Sequence, residues 1–198
     1  MTTVRHIEKA WLARTYDKLF RELVAFRPEA SSRLEFESGQ ALPAAAMAVI
    51  RLEELSQTHT PLYARLIRAI LAGQDPDGGW GELATTALCL RALLGGRGDG
   101  EAARRGLDWL ANLQKPEGVW PHVPIRRMPA DAYASAFVLY QLGDLPQFRS
   151  SVRFAQAVGW FETHHASLDE ETRRLWDRAR LRCRLRLAAR PAEMALWS

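Results

Sequence analysis

Two side chains suited to acid-base chemistry, His122 and Asp131, flank a short proline-rich segment of this sequence. An imidazole and a carboxylate that hydrogen-bond in a cleft form a common acid/base unit, so the two residues are candidate catalytic groups. A second interpretation is that Asp131 caps a helix that starts just after Pro129 and that His122 is a turn residue. The sequence favours the cap and leaves both interpretations open.

Other polar residues are weaker candidates for ligand or metal binding. Arg126 and Arg127 could hold a diphosphate or a carboxylate, because guanidinium forks suit such anions, and a solvated loop is the alternative. The adjacent side chains of His164 and His165 point in different directions on a helix or loop, so we expect a connector there. No histidine has a clear ligand partner, and we therefore expect no metal and no cofactor.

The two cysteines are too few and too far apart in sequence for a disulfide framework or a zinc pattern. Cys89 lies within the apolar run ATTALCLRALL, which predicts a buried side chain. Cys183 lies among arginines, whose positive charge would lower the pKa of its thiol. We expect structural, unreactive side chains at both positions.

The composition is typical of one globular domain over residues 1–198, with 47% apolar and 25% charged residues. No apolar run reaches the ~20 residues that span a bilayer, and the start of the sequence lacks a secretory signal pattern. We therefore expect a cytoplasmic protein without a membrane span.

Positive charge is concentrated near the carboxyl end. The formal charge is +4, and eight of the 24 arginines lie between Arg173 and Arg190. A basic segment of this kind is either a solvated face or a docking surface for an acidic partner. No nucleic-acid-binding motif accompanies it, so we expect no nucleic-acid partner.

An internal repeat determines the expected architecture. The segments 69–81 (AILAGQDPDGGWG) and 109–121 (WLANLQKPEGVWP) align without gaps at an offset of 40 residues. Their shared positions are Gln74 and Gln114, Pro76 and Pro116, Gly78 and Gly118, and Trp80 and Trp120. An apolar stretch rich in small residues follows each segment, at 83–94 and 130–142, and the second connection is longer by nine residues, HVPIRRMPA.

Each repeat combines two kinds of helix. The stretches before the turns, ARLIRAIL and RRGLDWLANL, have apolar residues at helical spacing and predict half-exposed outer helices. Proline and glycine in the turn stop the helix. The stretches after the turns are apolar on nearly all sides, which favours buried inner helices. The pattern therefore predicts an all-α fold, an α/α solenoid or toroid.

Weaker copies flank these repeats, for a total of about four helical pairs. Residues 7–26 and 147–162 predict outer helices, and residues 41–55 predict an inner one. A last helix is expected to begin at Ser167, where Ser-Leu-Asp-Glu fits a capping box. Residues 178–187 alternate with the period of a strand, but arginine and leucine favour helix and we expect helix there.

The second repeat resembles the QW motif of squalene and oxidosqualene cyclases. The matching positions are Arg105, Gly106, Trp109, Leu110, Gln114, Gly118 and Trp120, and the half copy is Gln74, Gly78 and Trp80. The chain is thus similar to the terpenoid-cyclase and protein-prenyltransferase superfamily, most clearly over residues 61–143. The resemblance implies an α/α toroid, here a partial (α/α)6 barrel. It also implies that the glutamines and tryptophans of the motif are structural, with each indole N–H bonded locally.

The catalytic groups of that superfamily are mostly missing. Class II cyclases protonate their substrate with the middle aspartate of DxDD, and the corresponding stretch keeps only Asp131 and has Tyr133 at the acid position. A phenol of pKa ~10 is too weak for that task. The magnesium-binding DDxxD, the zinc ligands of the prenyltransferases and the thioester motif GCGEQ are absent from the sequence.

Two functions remain open. The first, which we favour, is to bind or transform a hydrophobic, isoprenoid-like small molecule in a cavity lined by the starts of the inner helices and the long turn. The lining expected beside His122 and Asp131 is Trp80, Glu82, Thr85, Trp120, Arg126, Tyr133 and Ser135. The second is a non-catalytic α/α scaffold that forms a homodimer or docks a protein partner.

Overall fold

The computed structural model describes residues 41–96 and 100–193, with side chains as far as residue 183. This part of the chain is all-α, which confirms the predicted fold class. The α-helices are α1 (Ala41–Glu54), α2 (Pro61–Ala72), α3 (Leu83–Gly95), α4 (Gly100–Leu113), α5 (Ala132–Leu142), α6 (Pro146–Ser151), α7 (Phe154–His164) and α8 (Glu170–Glu193), with a 3-10 turn at His165–Ser167. The outer helix predicted at 7–26 lies outside the described residues. None of the described helices is long and apolar enough to cross a membrane.

An inner layer contains α1, α3, α5 and α8, which contact one another in that order. α3 and α5 are apolar on nearly all sides, and small side chains such as Ala87, Ala92 and Ala136 are fully buried in them. Small residues allow neighbouring helices to approach closely, so the row of inner helices forms the hydrophobic core. This arrangement confirms the inner helices predicted at 41–55, 83–94 and 130–142.

The outer helices cover this row. α2 lies against α1 and α3, while α4 lies against α3 and α6. In α4, Gly106 and Leu110 are buried, whereas Arg104 and Asp108 on the opposite face are exposed and form an ion pair. In α2, Leu66 and Ile70 are buried while Arg65 and Arg68 are exposed, so both helices show the one-sided apolar pattern that the sequence predicts.

The single outer helix predicted at 147–162 is wrong, because the chain forms two helices there, α6 and α7. The break falls at Val152 and Arg153, where Val152 is extended. The physical reason is the side chain of Gln114: Arg153 N donates to Gln114 Oε1 at 2.7 Å, while Arg153 O accepts from Ala157 N within α7 at 3.1 Å and from Gln114 Nε2 at 3.4 Å. A continuous helix would need the Arg153 N–H for a hydrogen bond to the carbonyl of Arg149.

The start of the last helix also differs from the prediction. The α8 cap is Asp169, whose carboxylate accepts from the backbone N–H of Thr172 at 3.0 Å and from its hydroxyl at 2.8 Å. The predicted cap at Ser167 is wrong, since the Ser167 hydroxyl donates to His164 O within the preceding 3-10 turn. The alternating stretch 178–187 is helical, as predicted.

A buried carboxylate joins three inner helices, near the carboxyl ends of α3 and α5 and the middle of α8. The side chain of Asp144, just after α5, is 2% exposed and accepts a hydrogen bond from Arg91 of α3 at 2.6 Å. Arg182 of α8 lies 3.4 Å from the other carboxylate oxygen. Because Arg91 is itself largely buried, the Asp144 carboxylate compensates a buried positive charge and also lies near the charge of Arg182.

Replacing Asp144 with alanine should therefore destabilise the fold by about 3–5 kcal/mol, because the Arg91 guanidinium would stay buried without its carboxylate. Urea unfolding followed by circular dichroism measures the loss. The matched control is Asp108→Ala, which removes an exposed ion pair with Arg104 and should leave the unfolding midpoint nearly unchanged. Similar midpoints for the two variants would contradict the structural role of the buried pair.

Candidate functional site

The two repeat turns have the same backbone geometry. In the first, Asp75 N donates to Gly79 O at 2.9 Å, and in the second, Lys115 N donates to Val119 O at 2.8 Å. Gly78 and Gly118 occupy the same place, with φ of 97° and 89°. Residues with a Cβ rarely adopt such angles, which explains the glycine of the repeat.

The glutamine of each repeat closes its own turn. Gln74 Nε2 donates to Gly78 O at 2.9 Å, and Gln114 Nε2 donates to Gly118 O at 2.8 Å. The four-residue spacing of glutamine and glycine in the sequence therefore corresponds to one direct hydrogen bond.

The tryptophan of each repeat ties the turn back to the outer helix before it. Trp80 Nε1 donates to Ile70 O at 2.7 Å, and Trp120 Nε1 donates to Leu110 O at 2.9 Å. The two indoles are 3% and 0% exposed, so each buries a large apolar surface while its one donor is satisfied. The local bonding that the family resemblance implies for these tryptophans is thus present.

A hydroxyl group on the following inner helix completes each turn. Trp80 N donates to Thr86 Oγ1 at 3.0 Å, and Trp120 N donates to Ser135 Oγ at 2.8 Å. The first connection places five residues between these partners and the second places fourteen, a difference equal to the nine-residue insertion. The same hydrogen bond therefore forms with and without the insertion.

The first turn also docks on the outer helix of the next repeat, α4. Gln74 Nε2 donates to Ala102 O at 2.8 Å, and the guanidinium of Arg105 donates to Gln74 Oε1. Trp109 Nε1 donates to Asp77 Oδ2 at 3.0 Å. Arg105 and Trp109, from the amino-terminal half of the second motif copy, therefore hold the turn of the first copy.

Gly106 and Gly78 allow this close approach. A Cβ on Gly106 would lie 2.8 Å from the ring of Trp80, and a Cβ on Gly78 would lie 2.6 Å from the carbonyl oxygen of Arg105. Gly106 of the second motif copy thus provides the space that Trp80 of the first turn fills.

The second turn docks on α7 in a similar way. Gln114 binds the backbone of Arg153 at the start of α7, and a Cβ on Gly118 would collide with the backbone at Ala157. Ala157 stands where Gly106 stands in α4, and Trp160 follows it by three residues, as Trp109 follows Gly106. The outer helix predicted at 147–162 was not recognised as the helix that receives the second turn. The signal that could have revealed it is the pair Ala157 and Trp160 inside an outer-helix pattern.

The expected acid/base residues do not meet. The carboxylate of Asp131 accepts from Ala134 N at 2.8 Å and caps α5, which confirms the capping interpretation. His122 is exposed on the turn, and no hydrogen bond joins it to Asp131 among the described contacts. The geometry contains no acid/base pair at this place, and a catalytic role for either residue stays a prediction.

The residues expected to line a cavity separate into two groups. Trp80, Thr85, Trp120 and Ser135 are buried within the scaffold. Glu82 is exposed at the cap position of α3, where its side chain makes no capping bond. Tyr133 and Arg126 are exposed at the start of α5 and in the turn before it. The structure thus brings no common lining together from these seven residues.

We call residues 121–130, which contain the insertion, the insertion loop. A bridge between Pro121 and Ala130 closes the loop at its base, and Met128 N donates to Ile125 O at 2.9 Å inside it. The ammonium group of Lys115 donates to the backbone carbonyl of Arg126. The exposed large apolar side chains of this region are Val123 (39%), Ile125 (51%), Met128 (40%) and Tyr133 (36%).

Neither cysteine has the surroundings of a reactive thiol. Burial raises the pKa of Cys89 to about 12. Burial also raises the pKa of Cys183, and this effect outweighs the positive charge of Arg149 beside it. The expected lowering of the Cys183 pKa by nearby arginines is therefore wrong. The prediction of unreactive cysteines agrees with the raised pKa of both thiols. Across the described residues, no group of three or more metal-ligating side chains is present.

Set against known proteins, the chain matches no family model, and no curated protein or solved structure matches it at a significant level.

The hydroxyl groups that bind the tryptophan amides should be essential to the fold. Thr86→Val and Ser135→Ala each leave a buried backbone N–H without an acceptor, which should cost about 1–3 kcal/mol in the free energy of unfolding. The matched control is Thr85→Val, at a buried neighbour on the same helix whose hydroxyl makes no hydrogen bond within the described residues. Thermal and urea unfolding measure the difference. A loss for Thr85→Val equal to that for Thr86→Val would show that the hydrogen bond is not responsible.

Proposed function

We propose that this chain is a non-catalytic α/α scaffold that binds another protein through the insertion loop. The observation that carries the proposal is the pair of equivalent hydrogen bonds from the tryptophan amides to Thr86 and Ser135. They span a short connection in one repeat and a connection nine residues longer in the other. Because the scaffold closes equally well without the extra residues, the loop is available for binding.

The surface of the loop supports an interaction role. Six large apolar side chains are exposed in the described part of the chain, and four of them belong to this region: Val123, Ile125, Met128 and Tyr133. Single exposed apolar residues are ordinary on protein surfaces, whereas a group of neighbours is typical of an interaction site.

The loop is also restrained before any partner binds. Pro121, Pro124 and Pro129 fix three of its backbone φ angles. The base is closed by the bridge to Ala130, and Lys115 holds the centre through the Arg126 carbonyl. A surface restrained in this way loses little conformational entropy on binding, which favours affinity.

We assign the scaffold to the α/α toroid type and regard it as a short relative of the terpenoid cyclases. The assignment is supported by the alternation of outer and inner helices and by the structural bonds of the motif residues. Non-catalytic scaffolding is favoured over chemistry because Trp80, Trp120 and Ser135 use their polar atoms in those bonds. Binding of a hydrophobic, isoprenoid-like molecule stays a prediction.

Replacing residues 121–130 with a single glycine tests the proposal. The first repeat has Gly81 at this place with φ of 74°, which proline cannot adopt, so glycine is the matched linker. We expect the free energy of unfolding to change by less than about 1 kcal/mol, because none of the turn bonds is removed. We also expect the shortened chain to lose its partner.

The binding arm compares affinity capture by the full chain and by the shortened chain from the lysate of the source organism, read by quantitative mass spectrometry. A protein captured by the full chain and lost with the shortened chain is the expected result. Identical captured proteins for the two chains would contradict a role for the loop in binding.

A further inference from the structure

We infer that the insertion loop recognises a protein segment that combines acidic with apolar side chains. The inference rests on the proposed function and adds the chemistry of the partner. Between Glu117 and Asp131 the sequence contains Arg126 and Arg127 and no acidic residue. The two arginines lie directly between the exposed side chains of Ile125 and Met128, so apolar and cationic groups belong to one small surface.

Both guanidinium groups are available to a partner. Arg126 and Arg127 are exposed, and neither side chain forms a hydrogen bond or an ion pair within the described part of the chain. Some exposed arginines elsewhere are engaged, since Arg104 binds Glu101 and Asp108 and Arg174 binds Glu170. The loop therefore carries cations without local counter-charges.

The surroundings of the loop keep it cationic. Asp131, the next acidic residue along the chain, is committed to the cap of α5 through Ala134 N. Lys115 brings a third cation to the centre of the loop, where its ammonium group binds the Arg126 carbonyl. Carboxylates are the matching groups, because an arginine fork binds both oxygens of a carboxylate at once.

A second copy of this chain fits the loop poorly. In a symmetric dimer formed through this loop the same cationic patch lies on both sides of the interface. Like charges brought together across an interface oppose association. The charge of the loop therefore favours a different protein.

An anionic lipid surface is also a weaker match. The loop offers three exposed apolar side chains, Val123, Ile125 and Met128, and two arginines to a bilayer. Small apolar areas with a few cations give marginal, reversible membrane binding. A protein segment can instead supply apolar side chains and carboxylates at matching distances, and arginine and methionine are enriched at such interfaces.

The test uses a displayed library of random twelve-residue peptides selected on the immobilised full chain, with the glycine-linked chain lacking residues 121–130 used to remove unrelated binders. We expect the enriched peptides to contain more Asp and Glu than the unselected library, together with aliphatic or aromatic residues. Enriched peptides without an acidic excess would overturn the inference.

Synthetic copies of the enriched peptides are then measured by fluorescence anisotropy. The double variant Arg126→Gln/Arg127→Gln should weaken binding about tenfold or more, and added salt should reduce the difference from the full chain. The matched control, Arg104→Gln/Arg174→Gln, removes the same charge from other surfaces and should leave the affinity unchanged. Circular dichroism confirms that both double variants fold.

The outcomes separate the two proposals. If Ile125→Ser weakens binding and both double variants bind as tightly as the full chain, the acidic partner is overturned. Binding through the loop is then still supported. Peptides that bind the chain lacking residues 121–130 as tightly as the full chain overturn both. Cosedimentation with phosphatidylserine vesicles, lost on Arg126→Gln/Arg127→Gln and accompanied by no enriched peptide, overturns the inference in favour of a lipid surface.

Discussion

The docking of each glutamine turn on the outer helix of the next repeat is the interaction on which the rest of the structure depends. One amide side chain does two things at once: Gln74 closes its own turn at Gly78 and reaches Ala102 in α4. Gln114 acts in the same way toward Arg153, and this contact breaks the third outer helix into two. Because each turn binds an outer helix of the following repeat, each repeat packs against the next one in the sequence. The order of repeats in space therefore follows the order in sequence.

The hydrogen bonds that hold each turn do not depend on the length of the connection between the turn and the following inner helix. The indole and the amide of each tryptophan are bound within the scaffold, and the last bond is made to a hydroxyl on the inner helix. The connection between Trp120 and Ser135 can have any length that places the Ser135 hydroxyl beside the Trp120 amide. A cap at Asp131 restarts the helix after the extra residues. The fold thus tolerates an insertion at this point, and the insertion presents exposed apolar and cationic side chains beside a rigid base.

Much of the fold was predictable from the sequence because its signals are local. The spacing of Gln74, Gly78 and Trp80 corresponds to bonds within one turn, and the apolar pattern separates inner from outer helices. The break at Val152 and the cap at Asp169 were not predictable, since each depends on contacts with another part of the chain or on a competing turn. At the candidate site the cap was predictable from Asp131 and Pro129. The cluster of exposed apolar side chains was not, because an apolar residue in a loop carries no sign of whether a neighbour covers it.

The most direct measurement is amide hydrogen exchange resolved along the chain by mass spectrometry or NMR. If the turns hold the array together, the amides of Trp80 and Trp120 should exchange as slowly as those in the middle of α3 and α5, through global unfolding alone. The amides of His122, Val123, Arg126 and Arg127 in the insertion loop should exchange much faster. Turn amides that exchange as fast as those of the loop would contradict the account. The helices would then remain folded while the hydrogen bonds of the turns were broken.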